Sequence, residues 1–525
     1  MLISELNEED LVTPVDLPAF CISTRTGSCN NLDHMFLGID IGTSAVKFVI
    51  VDADQNIVAT AERPLAPVQP KPLWSEDDPE KWWQAVASGL DGLAHDQPRA
   101  MAAVAGLGLS GQMHSAVFLD AKNEPVRPAI LWNDGRSTKE AAELAQLGPD
   151  LQDETGVLPM PGLTGPKFLW LTRNEPDAAR RTRTLCLAKD FIRLRLSGEK
   201  ATEVTDAAGA WILDEARRQW SDRALAACGI DKSLLPPLTE SREPTGVVKA
   251  DLARRWGLAR NVVIAAGAGD VPAGGIGVGI VNPGEGFVSL GTSAQIFLAD
   301  TAHRPDSARL VHAFCHALPD RWFRMAALLN GAAPLSTFAR WSGDGDISVL
   351  LADAEAHFKG PSYLLALPYL YGERTPHNDP LARAAIVGMT YSTTRADIVQ
   401  AILEGVAFSL ADGLDVLAAA SVRPKTMALI GGGAKSAFWA KLIASILDLS
   451  LVRYEASDRG PAYGAARLAR LAVTKEAAAS VVVAPPVRDV TLPDATLRDA
   501  YRPRIEAFRT LYRSLKPVWP SVSGA

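Results

Sequence analysis

Two stretches of the chain read almost alike: FLGIDIGTSAVKFVIVD from Phe36 and GFVSLGTSAQIFLAD from Gly286. Each is an apolar run, a Gly-Thr-Ser turn and a second apolar run. Short apolar runs bounded by turn residues read as buried strands, and a link this short makes each pair an antiparallel hairpin. Two copies so far apart are too few for a solenoid. With 525 residues the chain also exceeds what one hydrophobic core organises. The expectation is two similar α/β lobes with a cleft between them, each opened by its hairpin. The join is expected at 279–286, where GIVNPGEG carries Pro283, Gly284 and Gly286. That divides the chain into an N-terminal lobe over 35–280 and a C-terminal lobe over 285–520.

Strand–helix alternation fills both lobes. Strands are expected at 36–41, 46–52, 104–109, 116–119 and 129–132. Amphipathic helices are expected at 79–94, with Pro79 at its start, and at 137–148, capped by Ser137. Others are expected at 188–198, ended by Gly198, and at 395–417, with a strand, glycines and a helix over 426–447 and a helical tail from about Leu492. Residues 1–34 are polar and aperiodic, without the basic start and apolar stretch of a secretory signal. They read as a loose leader or as the product of a start codon placed too early, with the fold beginning near Met35.

Net charge narrows the partners. At −7 the chain lacks the clustered cations that nucleic acid or an anionic membrane requires, and no apolar run approaches the ~20 residues of a membrane span. Five cysteines at scattered spacing, with no C-x-x-C, suit free thiols in a reducing cytoplasm.

The chemistry is written around the glycines. A Gly-Thr-Ser turn exposes backbone N–H groups and adds hydroxyl donors, which suits phosphate oxygens without a lysine. Gly42, Thr43 and Ser44 form one such turn; Gly291 and Thr292 belong to the other. An ordinary hairpin turn is the competing reading, weakened by the second copy. Asp40 ends a buried strand where the second copy has Ser289. A carboxylate there is costly unless paired, and Mg2+ riding on the phosphates would pair it; a turn-capping role is the alternative. Asp270, in AAGAGDVPAGG, is a solitary carboxylate among small residues at the mouth of a helix. It is placed either to accept the proton of an attacking hydroxyl in phosphoryl transfer or to cap that helix. LIGGGAKS (429–436) is not a Walker A loop, since Leu429 and Ala434 stand where that motif requires glycine. Its glycines suit a nucleoside lying on backbone, or a close helix–strand contact. Gln112, His114, Trp132, Asn133, Asp134 and Arg136 follow strands and suit a polyol; for His114 alone, a partly buried structural histidine is the competing reading. His312 and His316 lack an acidic partner and read as non-metal.

Together GIDIGTSAVK, GLSGQMHSAVFLD, AILWNDGRS, SLGTSAQIF, PYLYGERTPHNDP, LIGGGAKSAFWAKLIA and GPAYGAARLA resemble the FGGY carbohydrate kinases over about Phe36 to Leu515. GQMH with WNDGR resembles the xylulokinase branch of that family. The resemblance implies actin-like, RNase H-like folds in both lobes and ATP in the cleft. It implies Asp270 as catalytic base, Asp40 as the residue placing Mg2+, and Gly42-Thr43 and Gly291-Thr292 on phosphate. Gly432, Gly433 and Ser436 would face the nucleoside, and Met113 and His114 the sugar, with Trp132 and Asp134 on its border. Two departures stand out: Val271 and Ala294 occupy positions where many relatives carry a polar residue and Gly. The implied reaction is ATP-dependent phosphorylation of D-xylulose to D-xylulose 5-phosphate. Another ketose, an actin-like or chaperone-like ATPase and a silent sugar-binding regulator are the rivals. The expected partner is a small sugar, with a homodimer left open.

Overall fold

The structure is a computed structural model that describes residues 34–343, 345–419, 423–455 and 460–522; the expected leader lies outside the described residues except for His34.

Both repeated stretches fold as hairpins. β1 (Met35–Ile41) pairs antiparallel with β2 (Ala45–Val51), Ile41 opposite Val46. β3 (Ile57–Pro64) extends the meander beside β2. β4 (Val104–Gly111) lies parallel on the other flank of β1, and β6 (Val263–Ala265) lies parallel to β4. β5 (Pro244–Val247) closes that edge antiparallel to β6, while the short β7 (Ala268–Gly269) pairs with the end of β4.

The second sheet repeats the pattern. β8 (Gly286–Leu290) and β9 (Ala294–Asp300) form its hairpin, and β11 (Trp322–Leu328) continues the meander. β12 (Thr426–Ile430) is parallel to β8, β13 (Ser450–Tyr454) is parallel to β12, and β14 (Val487–Thr491) is antiparallel at the edge. Orders β5-β6-β4-β1-β2-β3 and β14-β13-β12-β8-β9-β11 thus match in every pairing sense, and β10 (His312–Cys315) is one extra strand beside β11.

Parallel neighbours need crossovers. Between β3 and β4 runs α1 (Pro79–Asp96), started by Asp78, whose side chain accepts from Glu80 N, and by Pro79. It buries Trp82, Val86, Leu90 and Leu93, one apolar face at helical spacing. Between β11 and β12 runs α5 (Arg395–Ala418), which opens on a capping box of Thr394 and Asp397. The helix expected at 137–148 is shorter, Thr138–Ala145. Ser137 does sit at its start, but its hydroxyl donates to Pro161 O at 2.9 Å and caps nothing. The tail forms α8 (Ala495–Leu515), which buries Tyr501, Phe508 and Tyr512. Among the described residues no helix is long and apolar enough to cross a membrane.

The two halves are not merely tethered. Phe297 of β9 stacks between Phe287 and Phe323, at centroid distances of 4.7 and 4.5 Å, in a core shared with Trp211, Val157 and Met113 of the first half. More telling is α7 (Gly460–Thr474), from late in the chain, which packs on β1, β4 and on α4 (Asp270–Val278) of the first half. The approach is backbone to backbone. A Cβ on Gly38 would lie 1.8 Å from Ala462 O, and one on Gly108 would lie 1.9 Å from Ala465 O. On the other face of α7, a Cβ on Gly464 would lie 1.9 Å from Ala273 O, and one on Gly277 would lie 2.1 Å from Gly460 O.

Alanine normally stabilises a helix over glycine by about 1 kcal/mol. At Gly274, also in α4, an added Cβ would meet only Pro461 Cγ, at 4.0 Å, so Gly274→Ala should be neutral or stabilising. Gly277→Ala should instead destabilise by about 1–3 kcal/mol, the range for overpacking. Thermal and urea unfolding of the pair measures the difference.

Candidate active site

Strand register brings the two singled-out carboxylates together. Ser110 of β4 pairs with Asp40 on one side and with Ala268 on the other; Gly111 pairs with Ile41 and with Gly269. The strands end level, and α4 starts at once with Asp270. Gly269 occupies the N-cap, so Asp270 is the first helical residue and does not cap the helix; its Oδ1 accepts from Val271 N at 3.0 Å. Asp40 is only 7 % exposed and Ser110 Oγ donates to its Oδ1 at 2.9 Å. Burial pushes its carboxyl up to about 6, against the pull of the Ser110 bond and the Lys47 charge. Asp270 is pushed up to about 7, first by burial and then by the charge of Asp40, with the Val271 and Met113 backbones opposing. Two like charges share one floor, and their ionisation is linked.

The first Gly-Thr-Ser turn is closed by Gly42 N donating to Ala45 O at 3.0 Å. Trp132 and Gln112, expected on a polyol, brace this turn. The Trp132 indole donates to Thr43 Oγ1 at 2.9 Å, and Gln112 N donates to Ile41 O at 2.9 Å. Ser44 is exposed at the tip. The second turn is braced from behind by the segment entering the helix Ala333–Trp341: Gly331 N donates to Thr292 O at 2.9 Å and Ala332 N to Gly291 O at 2.7 Å. Glu373, of the GERTP segment, holds that brace through Leu329 N at 2.6 Å and Asn330 Nδ2 at 3.2 Å.

Beside the second turn lie the three glycines. Gly431 has φ 93° and would set a Cβ 2.7 Å from Leu290 O; Gly433 would set one 2.6 Å from the Leu290 side chain. The close-contact reading therefore accounts for these two, while Gly432 faces open space. Ser436 caps α6 (Ala437–Leu447), its side chain accepting from Trp439 N at 3.1 Å.

On the other side of Asp270, the Met113 side chain covers Gly269, where a Cβ would lie 2.5 Å from Met113 Cγ. His114 has φ 69°, a left-handed conformation, and its Nδ1 is 2.6 Å from Gly209 O. A carbonyl only accepts, so Nδ1 carries the proton and Nε2 is left as an acceptor. Burial pushes the ring down to about 3, helped by the charges of Lys167 and Arg374, so His114 is neutral. Its carbonyl is pinned by Lys167 Nζ at 2.9 Å and Thr164 Oγ1 at 3.0 Å.

Asp134 does not join this group. Its oxygens accept from Ser75 N at 2.6 Å and from Arg136 Nε and Nη2 at 2.9 and 2.7 Å, and Arg136 stacks on Trp74 at 3.6 Å. A buried carboxylate is satisfied where a guanidinium fits it bidentately, so Asp134 and Arg136 anchor the segment that carries Trp132. His316 is also accounted for, with Ile280 O at 3.1 Å from Nε2 and Leu318 N donating to Nδ1 at 3.2 Å. Sequence reading missed Glu373 as a brace. It also missed the buried group Lys189, Glu203 and Thr205 under the Asp270 loop; no spacing in the chain marks these as neighbours.

The assembled site offers two carboxylates at the ends of parallel strands, a braced turn from each repeated hairpin, and a neutral histidine acceptor. That is the equipment of a transfer reaction on a hydroxylated substrate. The family model for the N-terminal domain of FGGY carbohydrate kinases matches residues 35–277, and that for the C-terminal domain matches 286–473. The chain is 42% identical over 487 residues to a xylulose kinase of Escherichia coli K12, covering 92% of this chain and all of that protein. It is 40% identical over 488 residues to a xylulose kinase of Klebsiella pneumoniae, again 92% and 100%. The crystal structure of a xyloylose kinase from Brucella ovis superposes with a TM-score of 0.89 at 40% identity, over 92% of this chain and 100% of the other. Two lobes of repeated topology, the site at their junction and these likenesses lead to one conclusion: the chain belongs to the FGGY family of carbohydrate kinases.

Proposed function

We propose that the protein transfers the γ-phosphoryl group of ATP to D-xylulose, forming D-xylulose 5-phosphate and ADP. The likeness to xylulose kinases over nearly the whole chain supports the substrate. The single observation that carries the mechanism is Asp270 at the first turn of α4, beside Asp40, with its carboxyl raised to about 7. A base with its pKa near the working pH combines availability with driving force. Asp270 takes the proton of the substrate's primary hydroxyl. That oxygen bonds to the γ-phosphorus as the bond to the β-bridging oxygen breaks, and ADP leaves with the electron pair.

The backbone of Gly42, Thr43 and Ser44 and that of Gly291 and Thr292 would receive phosphate oxygens, with Gly432, Gly433 and Ser436 towards the nucleoside. Met113 and His114 orient the sugar, Nε2 of His114 accepting from one hydroxyl. Trp132, whose indole N–H holds Thr43, and Asp134, which holds Arg136, would stand on the segment that borders the sugar. Asp40 fits Mg2+: Ser110 donates to Oδ1 alone, leaving a carboxylate edge for a cation that keeps most of its waters. Bound there, Mg2+ would neutralise charge on the transferring phosphates. A nucleotide-binding C-terminal lobe and a sugar-binding N-terminal lobe, over 285–520 and 35–280, follow from the same reading, as does action in the cytoplasm.

ADP formation should depend on sugar, with D-xylulose preferred over D-ribulose and L-xylulose in a coupled assay. Turnover of ATP without sugar would favour an ATPase, and preference for a different ketose would replace the substrate. Asp270→Asn should lower kcat by about 10²–10⁴, the range for loss of a general base, while nucleotide binding by calorimetry persists. Protonation of Asp270 removes the base, so kcat/KM should fall about tenfold per pH unit below roughly 7 and level off above it, as a pH–rate profile would register.

A further inference from the structure

Beneath the site lies α3 (Val204–Ala208), which ties to the backbone just before Asp270 and, past its end, to the side chain of His114. Near its start, Thr205 Oγ1 accepts from Gly269 N at 2.9 Å, one residue before Asp270. Past its end, Gly209 O takes the Nδ1–H of His114 at 2.6 Å. The helix is itself held by Glu203. One carboxylate oxygen of Glu203 accepts from Thr205 Oγ1 at 3.0 Å and Asp206 N at 2.9 Å; the other accepts from Thr205 N at 2.8 Å and Ser241 Oγ at 2.7 Å. Lys189, on α2 (Ala188–Ser197), balances the charge, its Nζ lying 2.7 Å from Asp190, 3.2 Å from Asp206 and 3.3 Å from Glu203. None of these residues around Glu203 and Lys189 exceeds 3 % exposure. The same group grips the Asp270 loop twice more: Arg193 donates to Ala266 O, and Gly267 N donates to Ser241 O at 2.9 Å.

A fully buried ionic group is a poor device for stability, since apolar residues of equal volume often do as well or better. What it supplies is direction. The Thr205 hydroxyl donates its hydrogen bond to Glu203, which turns the acceptor side of Oγ1 towards Gly269 N. We propose that Thr205, oriented by Glu203 and Lys189, is a positioning residue that sets the separation of Asp270 from His114, and so the place of the reacting hydroxyl between them. The inference rests on the reading of Asp270 as base and His114 as sugar contact.

Thr205→Val keeps shape and removes the acceptor. In the full-length enzyme it should lower kcat about 10- to 100-fold and raise KM for D-xylulose severalfold, because a misplacement of about 1 Å costs on that order. KM for Mg-ATP should stay within about twofold, and Thr205→Ser should restore kcat to within about threefold, since it returns the same lone pair. On an Asp270→Asn background Thr205→Val should cost little more, because its effect passes through Asp270. A folded Thr205→Val enzyme with unchanged kcat and sugar KM would overturn the proposal. So would a serine variant as impaired as the valine one, or a full additive loss on the Asp270→Asn background. Should the valine variant not fold, Ser241→Ala removes one donor to Glu203: a fall in kcat of about threefold or more with KM for Mg-ATP unchanged upholds the proposal by the same reasoning, and unchanged kcat overturns it. Asp270→Asn with near-normal turnover would bring down the assignment of the base itself, separately from the behaviour of Thr205.

Discussion

The contact between α4 and α7 is the constraint on which the site depends. Helices whose backbones touch have no room for a Cβ, and both Gly277 and Gly464 stand where one would overlap a carbonyl. α7 meets β1 and β4 in the same way, through Gly38 and Gly108. One helix from late in the chain therefore fixes the height of the strand that carries Asp40 and of the helix that begins at Asp270. On its far side α4 meets Phe297, through Gly275 at 3.3 Å for an added Cβ. Any movement of one half against the other reaches Asp270 through rigid packing, since close-packed interiors transmit displacement rather than absorb it.

The electrostatics build on that frame. Strands β1, β4 and β7 end level, so Asp40 and Asp270 meet on one desolvated floor and each raises the cost of ionising the other. Such an arrangement costs the folded chain stability, and carboxyls raised in this way cluster where a proton or a cation is exchanged. Around it everything is braced. Gln112 and Trp132 hold the first turn, Glu373 holds the loop behind the second, and Thr205 and Glu203 hold the loop before Asp270. Polar residues near the site thus divide into a few assigned to the reaction and many that orient them, the division expected where geometry must be kept within fractions of an ångström.

Much of this was legible in the residues. The hairpins, the long α1 and α5, the glycine end of α2 and the two carboxylates are carried by local pattern, with period, caps and turn chemistry agreeing. The roles of polar residues were less so. Trp132, Gln112 and Asp134 follow strands and carry the donors and acceptors of a sugar site, yet each has a protein partner distant in the chain or a neighbouring arginine. Ser137 stands where a cap belongs and donates instead to Pro161 O. A hydroxyl or carboxylate takes whichever partner the fold brings, and the residue type alone does not say which.

By itself, then, the sequence determined two copies of one hairpin, the helices that cross over them, the family and the identity of Asp40 and Asp270 as carboxylates set apart from packing. These follow from periodicity and from residue chemistry, which act over a few neighbouring positions. Only the tertiary structure decided that α7 returns to clasp α4, that both carboxylates share one floor, and that Lys189, Glu203 and Thr205 converge beneath them. Those are contacts between segments far apart in the chain, made by close approach of backbone and burial of charge, and no local pattern encodes which distant segment supplies the partner.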